Sequence, residues 1–423
     1  FRFVMKKTVL IISYSFPPMG LSGVVRTSKM AKALAKNGWN VVVLSATPKV
    51  YITYDETLLQ ELIDAGVHIY STPSKTPPKQ DSSSPGWFER TIMRPMLGQV
   101  YFPDSAIRWK RMAIAAADGI MNEYDVSVIL SVSPPLSNFV ITDTIAERHQ
   151  IPFILDYQDG WTKGITIDQP QKQRSSAHMK LEHHLLNRAA RIFVPSRIAK
   201  EQMIKDYRFL EHEDVMIIPA GFDRDDLSGI NLSSHTTSKL VIMHTGKADL
   251  TGHLPAFLQG FAEVIKTSPE LQRDIIISLP GIVDGALTTL IEKLGIRDSV
   301  HQPGYIAHRA LFEAMSKADI LFADTGSMYQ IPRKIYEYIA MQKPIAIMAP
   351  EQSALSRLVH ESGAGLLLHD SGNASVGSFI RSIHASWKSG KLPKQKTGFA
   401  DDYAMDNFVE DISIALTKAI RIS

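Results

Sequence analysis

The sequence predicts two α/β domains, each built on a doubly wound, Rossmann-like parallel sheet. Short apolar, β-branched runs alternate with helical stretches, which is the pattern of strand–helix–strand units. The alternation restarts after a polar Ser/Thr/Asn-rich stretch at 225–238. A length of 423 residues suffices for two such domains. We expect domains at 5–225 and 238–400, a cleft between them, and a last helix within 401–423 that packs back on the N-terminal domain or stays with its own.

The elements of the first domain follow from local pattern. The stretch 22–37 places Val25, Met30 and Leu34 near one face and ends at Gly38, which indicates a helix. The run 41–45 is almost entirely apolar and β-branched, as in a sheet covered on both faces. Strands are predicted at 8–13, 41–45, 126–131, 153–156, 191–195 and 215–219, and helices at 22–37, 138–150, 176–190 and 198–206. Four prolines within 71–85 predict a surface loop.

The second domain repeats the alternation on the same grounds. Strands are predicted at 240–244, 274–279, 319–323, 344–348 and 365–369, and helices at 255–267, 285–294, 308–317, 332–341 and 353–361. A last helix is predicted at 407–420. Ligands of open α/β sheets bind outside the carboxyl ends of the strands, so the loops at those ends are where a site is expected.

Composition excludes several classes of protein. Hydrophobic residues make up 44% and charged residues 21%, as in globular proteins. A net charge of +3 does not indicate a general nucleic-acid binder, and we expect no nucleic-acid partner. The absence of cysteine excludes disulfides, thiolate metal sites and a cysteine nucleophile. The apolar run at 8–12 is broken by Ser13 and stopped by Pro17 and Pro18, which favours a buried strand over a signal peptide. We therefore expect a cytoplasmic protein.

A glycine loop follows the first predicted strand. Gly20 and Gly23 would let the backbone approach a ligand, and Arg26 lies in the first turns of the next helix. A nicotinamide dinucleotide site is disfavoured, because the glycine spacing is G-x-x-G and no acidic residue ends the second strand at 44–47. The alternative is an ordinary strand–helix turn.

The segment 86–111 is apolar with basic neighbours, including Trp87, Phe88 and Arg90. One interpretation is core packing of a short helix beside a loop. The other is peripheral contact with the inner face of a membrane, or with a lipid-linked acceptor.

Several motifs occur in a characteristic order. They are Tyr14-Ser15-Phe16-Pro17-Pro18 before the glycine loop, Tyr101–Asp104 with Trp109, Ser131–Pro135, Leu155–Thr162, Val194–Ser196 and Ile218–Asp223. Together, over roughly 8–370, they resemble bacterial family-4 glycosyltransferases, which are retaining enzymes of the GT-B fold. The resemblance implies two Rossmann-like domains and a nucleotide diphosphate sugar as donor.

The resemblance also assigns donor contacts. Gly246 and Lys247, in the turn after the first strand of the second domain, would lie near the donor diphosphate, and a cation there would stabilise the leaving phosphate. Ile306 belongs to a turn whose backbone touches the base. Glu337 would accept hydrogen bonds from the ribose hydroxyls. Alternatively, Lys247 is a solvated loop lysine and Glu337 an exposed helix glutamate paired with Lys334.

Two positions depart from the family pattern. A second lysine that usually precedes a glycine is Thr251 here, and Arg26, Arg333 and Lys334 are candidate substitutes. The first of two glutamates is Tyr329, and the loop 326–329 is expected to offer backbone N–H groups and a hydroxyl to the donor instead. We therefore count Gly20, Gly23, Arg26, Tyr329 and Lys334 among the donor-binding residues.

The acceptor is expected on the first domain, near Tyr14, Asp156, Asp159 and Trp161. The two aspartates end a predicted strand, where carboxylates can bind a hydroxyl or tune each other's pKa. Asp159 and Lys247 are the candidate catalytic residues, although Asp159 alternatively caps a turn. Asp-x-Asp spacing is absent, so no metal and no cofactor beyond the donor is expected. His178, His183 and His184 are interpreted as surface or packing residues.

The sequence thus predicts a retaining, metal-independent glycosyltransferase. It would act in surface polysaccharide or glycoconjugate assembly, and the acceptor would be a saccharide, a lipid-linked saccharide or a small molecule. Two alternatives remain open: a non-catalytic GT-B homologue that serves as a binding or partner subunit, and a nucleotide-sugar 2-epimerase.

Overall fold

The computed structural model describes residues 6–20, 22–47, 53–74, 101–161, 176–232 and 238–422. These residues form two compact units. The first contains the described residues up to Ala220 together with the C-terminal stretch from Met405, and the second comprises Gly221 to Ala404. The boundary therefore precedes the polar stretch at 225–238, part of which is built into the second unit.

The first unit has a seven-stranded, wholly parallel sheet in the order β3-β2-β1-β4-β5-β6-β7. Its strands are β1 Thr8–Ile12, β2 Asn40–Thr47, β3 His68–Pro73, β4 Val126–Ser133, β5 Phe153–Tyr157, β6 Arg191–Val194 and β7 Val215–Ile217. Its described helices are α1 Ser22–Lys36, α2 Glu56–Asp64, α3 Lys110–Glu123, α4 Ser137–His149, α5 Ser176–Arg188, α6 Arg197–Asp206 and the C-terminal helix α14 Met405–Ile422. A 3₁₀ turn at Ser105–Trp109 precedes α3.

The second unit has a six-stranded parallel sheet in the order β10-β9-β8-β11-β12-β13. Its strands are β8 Leu240–Met243, β9 Ile275–Pro280, β10 Val300–Gly304, β11 Ile320–Asp324, β12 Ile345–Met348 and β13 Gly365–Leu368. Its described helices are α7 Leu254–Thr267, α8 Pro269–Asp274, α9 Gly285–Lys293, α10 His308–Ser316, α11 Lys334–Ala340, α12 Ala354–Ser362 and α13 Asn373–Lys388. The predicted fold class, doubly wound parallel sheets in two α/β domains, is confirmed.

Local sequence explains where several helices begin and end. Asp55, Ser196 and Ser353 each precede a helix in extended conformation and accept a hydrogen bond from its first free N–H groups. Gly363 ends α12 with φ of 79°, a left-handed conformation that favours glycine. These caps satisfy backbone groups that the helix itself leaves unpaired.

The helix α14 packs within the first unit. Ile412, Leu416 and Ala419 are fully buried in the apolar cluster that contains Met30 and Leu34 of α1. The indole N–H of Trp39 donates to Ser413 Oγ at 3.0 Å. The C-terminal helix thus completes the core of the unit that begins the chain.

Some elements differ from the prediction. The strand β3 lies partly in the predicted loop at 71–85, because it is an edge strand whose residues are exposed or half-exposed and show no apolar alternation. The strand β10 and the helices α2, α3, α8 and α13 were also not predicted. The rest of the predicted loop and the residues 86–100 lie outside the described residues.

Among the residues that the structure describes, no helix is both long and apolar enough to cross a membrane.

Candidate functional site

Polar side chains gather at the carboxyl ends of the central strands β8 and β11 of the second unit. His244 and Thr245 follow β8, Asp324 ends β11, and the loop after β11 leads into α11. The hydroxyl of Tyr338 on α11 accepts from Thr245 N–H at 3.0 Å and donates to Phe322 O at 3.2 Å. Helix α11 therefore holds the turn after β8 against β11. This is the edge at which open α/β sheets bind ligands.

Glu337 is the buried carboxylate of this group, with 3% of its side chain exposed. Nη1 of Arg333, one helical turn earlier, lies 2.7 Å from Glu337 Oε1. Nδ1 of His308 lies 3.6 Å from the same oxygen. The predicted alternative, an exposed glutamate paired with Lys334, is wrong because Glu337 is buried and its close partner is Arg333. Glu337 is thus a buried carboxylate with two basic neighbours near the strand ends where open α/β sheets bind ligands.

Lys334 faces the turn after β8. Its ammonium donates to Nε2 of His244 at 2.7 Å and to Thr245 O at 3.1 Å. Removal from water lowers the pKa of Lys334 to about 8, although Asp324 and Glu337 oppose this shift. Burial and the neighbouring ammonium also lower the pKa of His244. The lowered pKa favours the neutral imidazole of His244, whose Nε2 also lies 3.5 Å from Asp324 Oδ1.

Asp324 lies at the N-terminus of α7. Its Oδ2 accepts from the backbone N–H groups of His253 and of Leu254, the latter at 3.1 Å. Burial alone would raise the pKa of Asp324, but His244, Lys334 and the His253 N–H hold it well below its ordinary range. A Cβ on Gly252 would lie 2.2 Å from Oδ2, so a larger residue at this position would require the carboxylate to move. The first N–H groups of α7 thus bind the carboxylate of Asp324, a residue of the same unit.

Gly246 and Lys247 lie in the same turn. Gly246 has φ of 91° and its N–H donates to Pro280 O at 2.9 Å. Lys247 is half-exposed and its ammonium lies 3.3 Å from Asp249 Oδ2. The predicted cation, Lys247, thus lies just beyond the carboxyl end of β8 and is paired with the nearby Asp249 carboxylate.

The loop after β11 differs from the expectation that its N–H groups face a ligand. The N–H groups of Tyr329 and Gln330 donate to Ser327 Oγ at 3.2 and 3.1 Å. Tyr329 is half-buried, as is Ile306 before α10. The hydroxyl of Ser327 organises this loop from within, because it accepts from both N–H groups.

In the first unit, Arg26 and Asp156 form a buried ion pair. Nη1 of Arg26 contacts Asp156 Oδ2, and Nη2 donates to Ile218 O at 3.0 Å. Burial raises the pKa of Asp156, and the Arg26 guanidinium opposes this shift. Arg26 was predicted as a donor cation and Asp156 as an acceptor contact. In the structure the two residues instead form an ion pair with each other, buried inside the unit.

The other predicted residues of the first unit lie near the carboxyl ends of β1 and β5. Tyr14 contacts Ser74 Oγ through its hydroxyl at 2.7 Å and meets the Trp109 ring edge-on at 5.5 Å. The Trp161 N–H donates to His178 Nδ1 at 3.0 Å. Asp159 is half-buried.

The two glycines of the first loop, Gly20 and Gly23, have different surroundings. The N–H of Gly20 donates to Thr53 O at 3.1 Å, and Gly23 is exposed at the start of α1. His183 and His184 are exposed and His178 packs on Trp161, which confirms their interpretation as surface or packing residues.

Three residues of the site were not singled out from sequence. They are His308, Asp226 and Asp324. His308 Nε2 lies 3.1 Å from Asp226 Oδ2, although 82 positions separate the two residues. No local pattern marks such a pair, because each residue alone resembles an ordinary helix start or turn.

Comparison with known proteins agrees with this architecture. Residues 23–221 match a family described as "Glycosyl transferase 4-like domain". The Anabaena protein HepE in complex with UDP and glucose is 14% identical, with a TM-score of 0.64 over 97% of this chain and 99% of that one. Sucrose-phosphate synthase from Thermosynechococcus elongatus is 14% identical, with a TM-score of 0.63 over 99% and 100%. The resemblance to family-4 glycosyltransferases is confirmed, and the family match supports glycosyltransferase activity.

UDP-GlcNAc 2-epimerase from Neisseria meningitidis, bound to UDP-GlcNAc, shares the fold as well. It is 14% identical, with a TM-score of 0.60 over 97% of this chain and 100% of that one. No curated protein matches the sequence. At these identities the structural likeness establishes the GT-B fold alone.

Proposed function

From a GT-B chain with a glycosyl transferase 4-like domain at residues 23–221, we propose a retaining glycosyltransferase that uses a nucleotide diphosphate sugar. The second unit binds the nucleotide. The first unit binds an acceptor hydroxyl, with Asp159, Tyr14 and Trp161 as candidate contacts. The observation that carries the proposal is the buried Glu337 carboxylate near the carboxyl ends of the central strands of the second unit, where Arg333 and His308 contact it.

Glu337 is suited to hold a ribose. A carboxylate accepts hydrogen bonds from two vicinal hydroxyls at once, and burial makes those bonds stronger than they would be in water. The buried charge is compensated by Arg333 at 2.7 Å, so binding a neutral ribose leaves no ion unpaired.

We assign the diphosphate to the basic side chains near the carboxyl end of β8. Lys247 lies in the turn after β8 that also contains Gly246, and the ammonium of Lys334 on α11 donates to Thr245 O in that turn. The first N–H groups of α7 are already bonded to Asp324, so we assign the phosphate charge to the lysines rather than to that helix end. Lys334 takes the role of the second family lysine, which is Thr251 in this chain.

The proposed reaction needs no dedicated protein base. The bond from the sugar anomeric carbon to the β-phosphate oxygen breaks, and a bond to the acceptor oxygen forms on the same face. The acceptor proton passes to the departing diphosphate, which Lys247 and Lys334 stabilise as its charge grows. Metal independence is part of this proposal, and unchanged transfer rates in excess EDTA would support it.

The donor nucleotide to test first is UDP, since HepE and the Neisseria epimerase are described with UDP or a UDP-sugar. The acceptor class, a saccharide, a lipid-linked saccharide or a small molecule, and a role in polysaccharide assembly follow from the family resemblance. Peripheral membrane contact through 86–111 is tested by Trp87→Glu with Phe88→Glu on anionic vesicles, where unchanged binding would dismiss it.

The test is nucleotide binding by calorimetry and thermal shift with UDP, GDP, ADP and dTDP. A ligand that binds the folded chain raises its apparent stability by mass action. We expect one nucleotide to bind and Glu337→Gln to weaken it about tenfold or more, because a hydrogen bond to a charged group contributes about 1.5–3 kcal/mol. The matched control is Glu351→Gln, an exposed glutamate of the same unit.

The outcomes separate the alternatives. Transfer to an added acceptor supports the proposal. Conversion of a UDP-sugar to its 2-epimer without an acceptor would replace it with the epimerase. If none of the four nucleotides binds at millimolar concentration, a non-catalytic GT-B subunit is the better description.

A further inference from the structure

His308 lies between two buried carboxylates of the second unit. Its Nε2 is 3.1 Å from Asp226 Oδ2, a hydrogen-bond distance, and its Nδ1 is 3.6 Å from Glu337 Oε1, an electrostatic contact. About 5% of the His308 side chain and 4% of the Asp226 side chain are exposed. The two ring nitrogens thus face different carboxylates.

The imidazole ring has little freedom to turn. His308 begins α10, and its ring meets that of the fully buried Phe312 edge-on at 5.4 Å. Asp226 belongs to the 3₁₀ turn Arg224–Leu227, whose Asp226 N–H donates to Asp223 O at 3.1 Å. The ring is therefore held by a neighbouring aromatic side chain and by a carboxylate on a separate turn.

Two basic groups converge on one oxygen of Glu337. Nη1 of Arg333 and Nδ1 of His308 both approach Oε1, and neither of these contacts uses Oε2. Contacts on a single oxygen set the rotation of a carboxylate, whose terminal torsion is otherwise broad. The direction in which Oε2 points is then determined by His308 and Arg333 together.

We propose that His308, oriented by Asp226, is a positioning residue for Glu337 and makes the site select ribonucleotides over 2′-deoxyribonucleotides. The inference rests on the proposed function, because it requires that Glu337 accept from the ribose hydroxyls. With Oε2 fixed, loss of one hydroxyl leaves a buried acceptor without its partner, which is the situation that gives strong discrimination.

The variants are chosen to separate the two ring nitrogens. His308→Gln places an amide near Nε2, so it keeps a partner for Asp226 and loses the group facing Glu337. His308→Asn places an amide near Nδ1, so it keeps the group facing Glu337 and loses the one facing Asp226. Circular dichroism and the melting temperature establish that each variant is folded.

The measurement is the ratio of dissociation constants for UDP and 2′-deoxy-UDP, or for the corresponding pair of whichever nucleotide binds. We expect the native chain to prefer the ribonucleotide about tenfold or more. His308→Gln should reduce the ratio to about two, and His308→Asn should retain most of it. In the Glu337→Gln background, His308→Gln should change the ratio no further.

Each outcome has one meaning. An equal loss of affinity for both nucleotides in His308→Gln, with the ratio unchanged, would overturn the positioning role and leave a structural one. A native ratio near one would overturn the selection. If Glu337→Gln binds as the native chain does, or if no nucleotide binds, the proposed function fails, which is distinct from failure at His308 alone.

Discussion

The ammonium nitrogen of Lys334 lies 2.7 Å from Nε2 of His244, at the edge where β8 ends. A charged lysine that donates to a neutral, buried histidine has lost water without gaining a full counter-charge at that contact. The lowered pKa of Lys334, about 8, follows from this placement. One of the two cations proposed for the donor diphosphate therefore loses its charge at a lower pH than an ordinary lysine does.

The first prediction concerns stability between pH 8 and 10.5. The folded-state pKa of Lys334 lies below its unfolded value of 10.5, so the unfolded state binds more protons in this window and the free energy of unfolding rises with pH. Lys334→Met should flatten this rise, as measured by urea unfolding at several pH values. Lys317→Met, at an exposed lysine of the same unit, should leave the slope unchanged. A steep rise in Lys334→Met would contradict the assignment.

The second prediction concerns the carboxylate at the start of α7. Asp324→Asn should lower the free energy of unfolding at pH 7 by about 1–3 kcal/mol, because two backbone donors and Lys334 lose a charged partner. Since the folded pKa of Asp324 is depressed, its contribution is present above about pH 4 and is lost as pH falls below that value. The exposed Asp298→Asn serves as control, and an equal loss in both would argue against the cap.

The third prediction approaches the same contact from the backbone. Gly252→Ala places a Cβ 2.2 Å from Asp324 Oδ2 and should displace the carboxylate, at a cost of about 1–3 kcal/mol. At Gly285, which begins α9 with open space around it, alanine should be neutral or stabilising. The double variant of Gly252→Ala with Asp324→Asn should lose less than the sum of the two single losses, as measured by urea unfolding. Full additivity would show that the two residues act separately.

The fourth prediction concerns the buried pair of the first unit. Arg26→Met leaves Asp156 buried without its cation, and we expect a loss of about 3–5 kcal/mol. Arg26→Met combined with Asp156→Leu should recover much of that loss, because no charge is then buried. Arg197→Met, which breaks an exposed pair with Glu201, should cost about 0.5 kcal/mol or less. Similar losses in the two single arginine variants would contradict the burial argument.

The fifth prediction concerns the C-terminal helix. Leu416 is fully buried in the core of the first unit, and Leu416→Ala should cost about 2–5 kcal/mol in the free energy of unfolding. On the same helix Ile414 is 45% exposed, and Ile414→Ala should change stability by about 0.5 kcal/mol or less. Equal effects would mean that α14 contributes no core side chains.

The alternation of strands and helices could be predicted because it is a local property. Apolar, β-branched runs such as 41–45 form interior strands of the first sheet, where residues on both faces are buried. The edge strand β3 was missed for the converse reason, since half-exposed polar residues leave no periodic signal. The position of Glu337 on a helix after β11 was also predicted from sequence, through its motif.

The partners of these residues were decided by tertiary structure. Arg26 pairs with a residue 130 positions away, Lys334 with one 90 positions away, and His308 with one 82 positions away. Periodicity reports which face of an element is buried, but it does not report which distant charge meets that face. The sequence alone determined two doubly wound sheets, the turn with Gly246 and Lys247, and the helix of Glu337. Only the folded chain decided that Arg26 pairs with Asp156 and that Asp324 occupies the N-terminus of α7. It also decided that Lys334 contacts the turn after β8 and that His308 lies beside Glu337, because those contacts depend on how the sheet brings remote strand ends together.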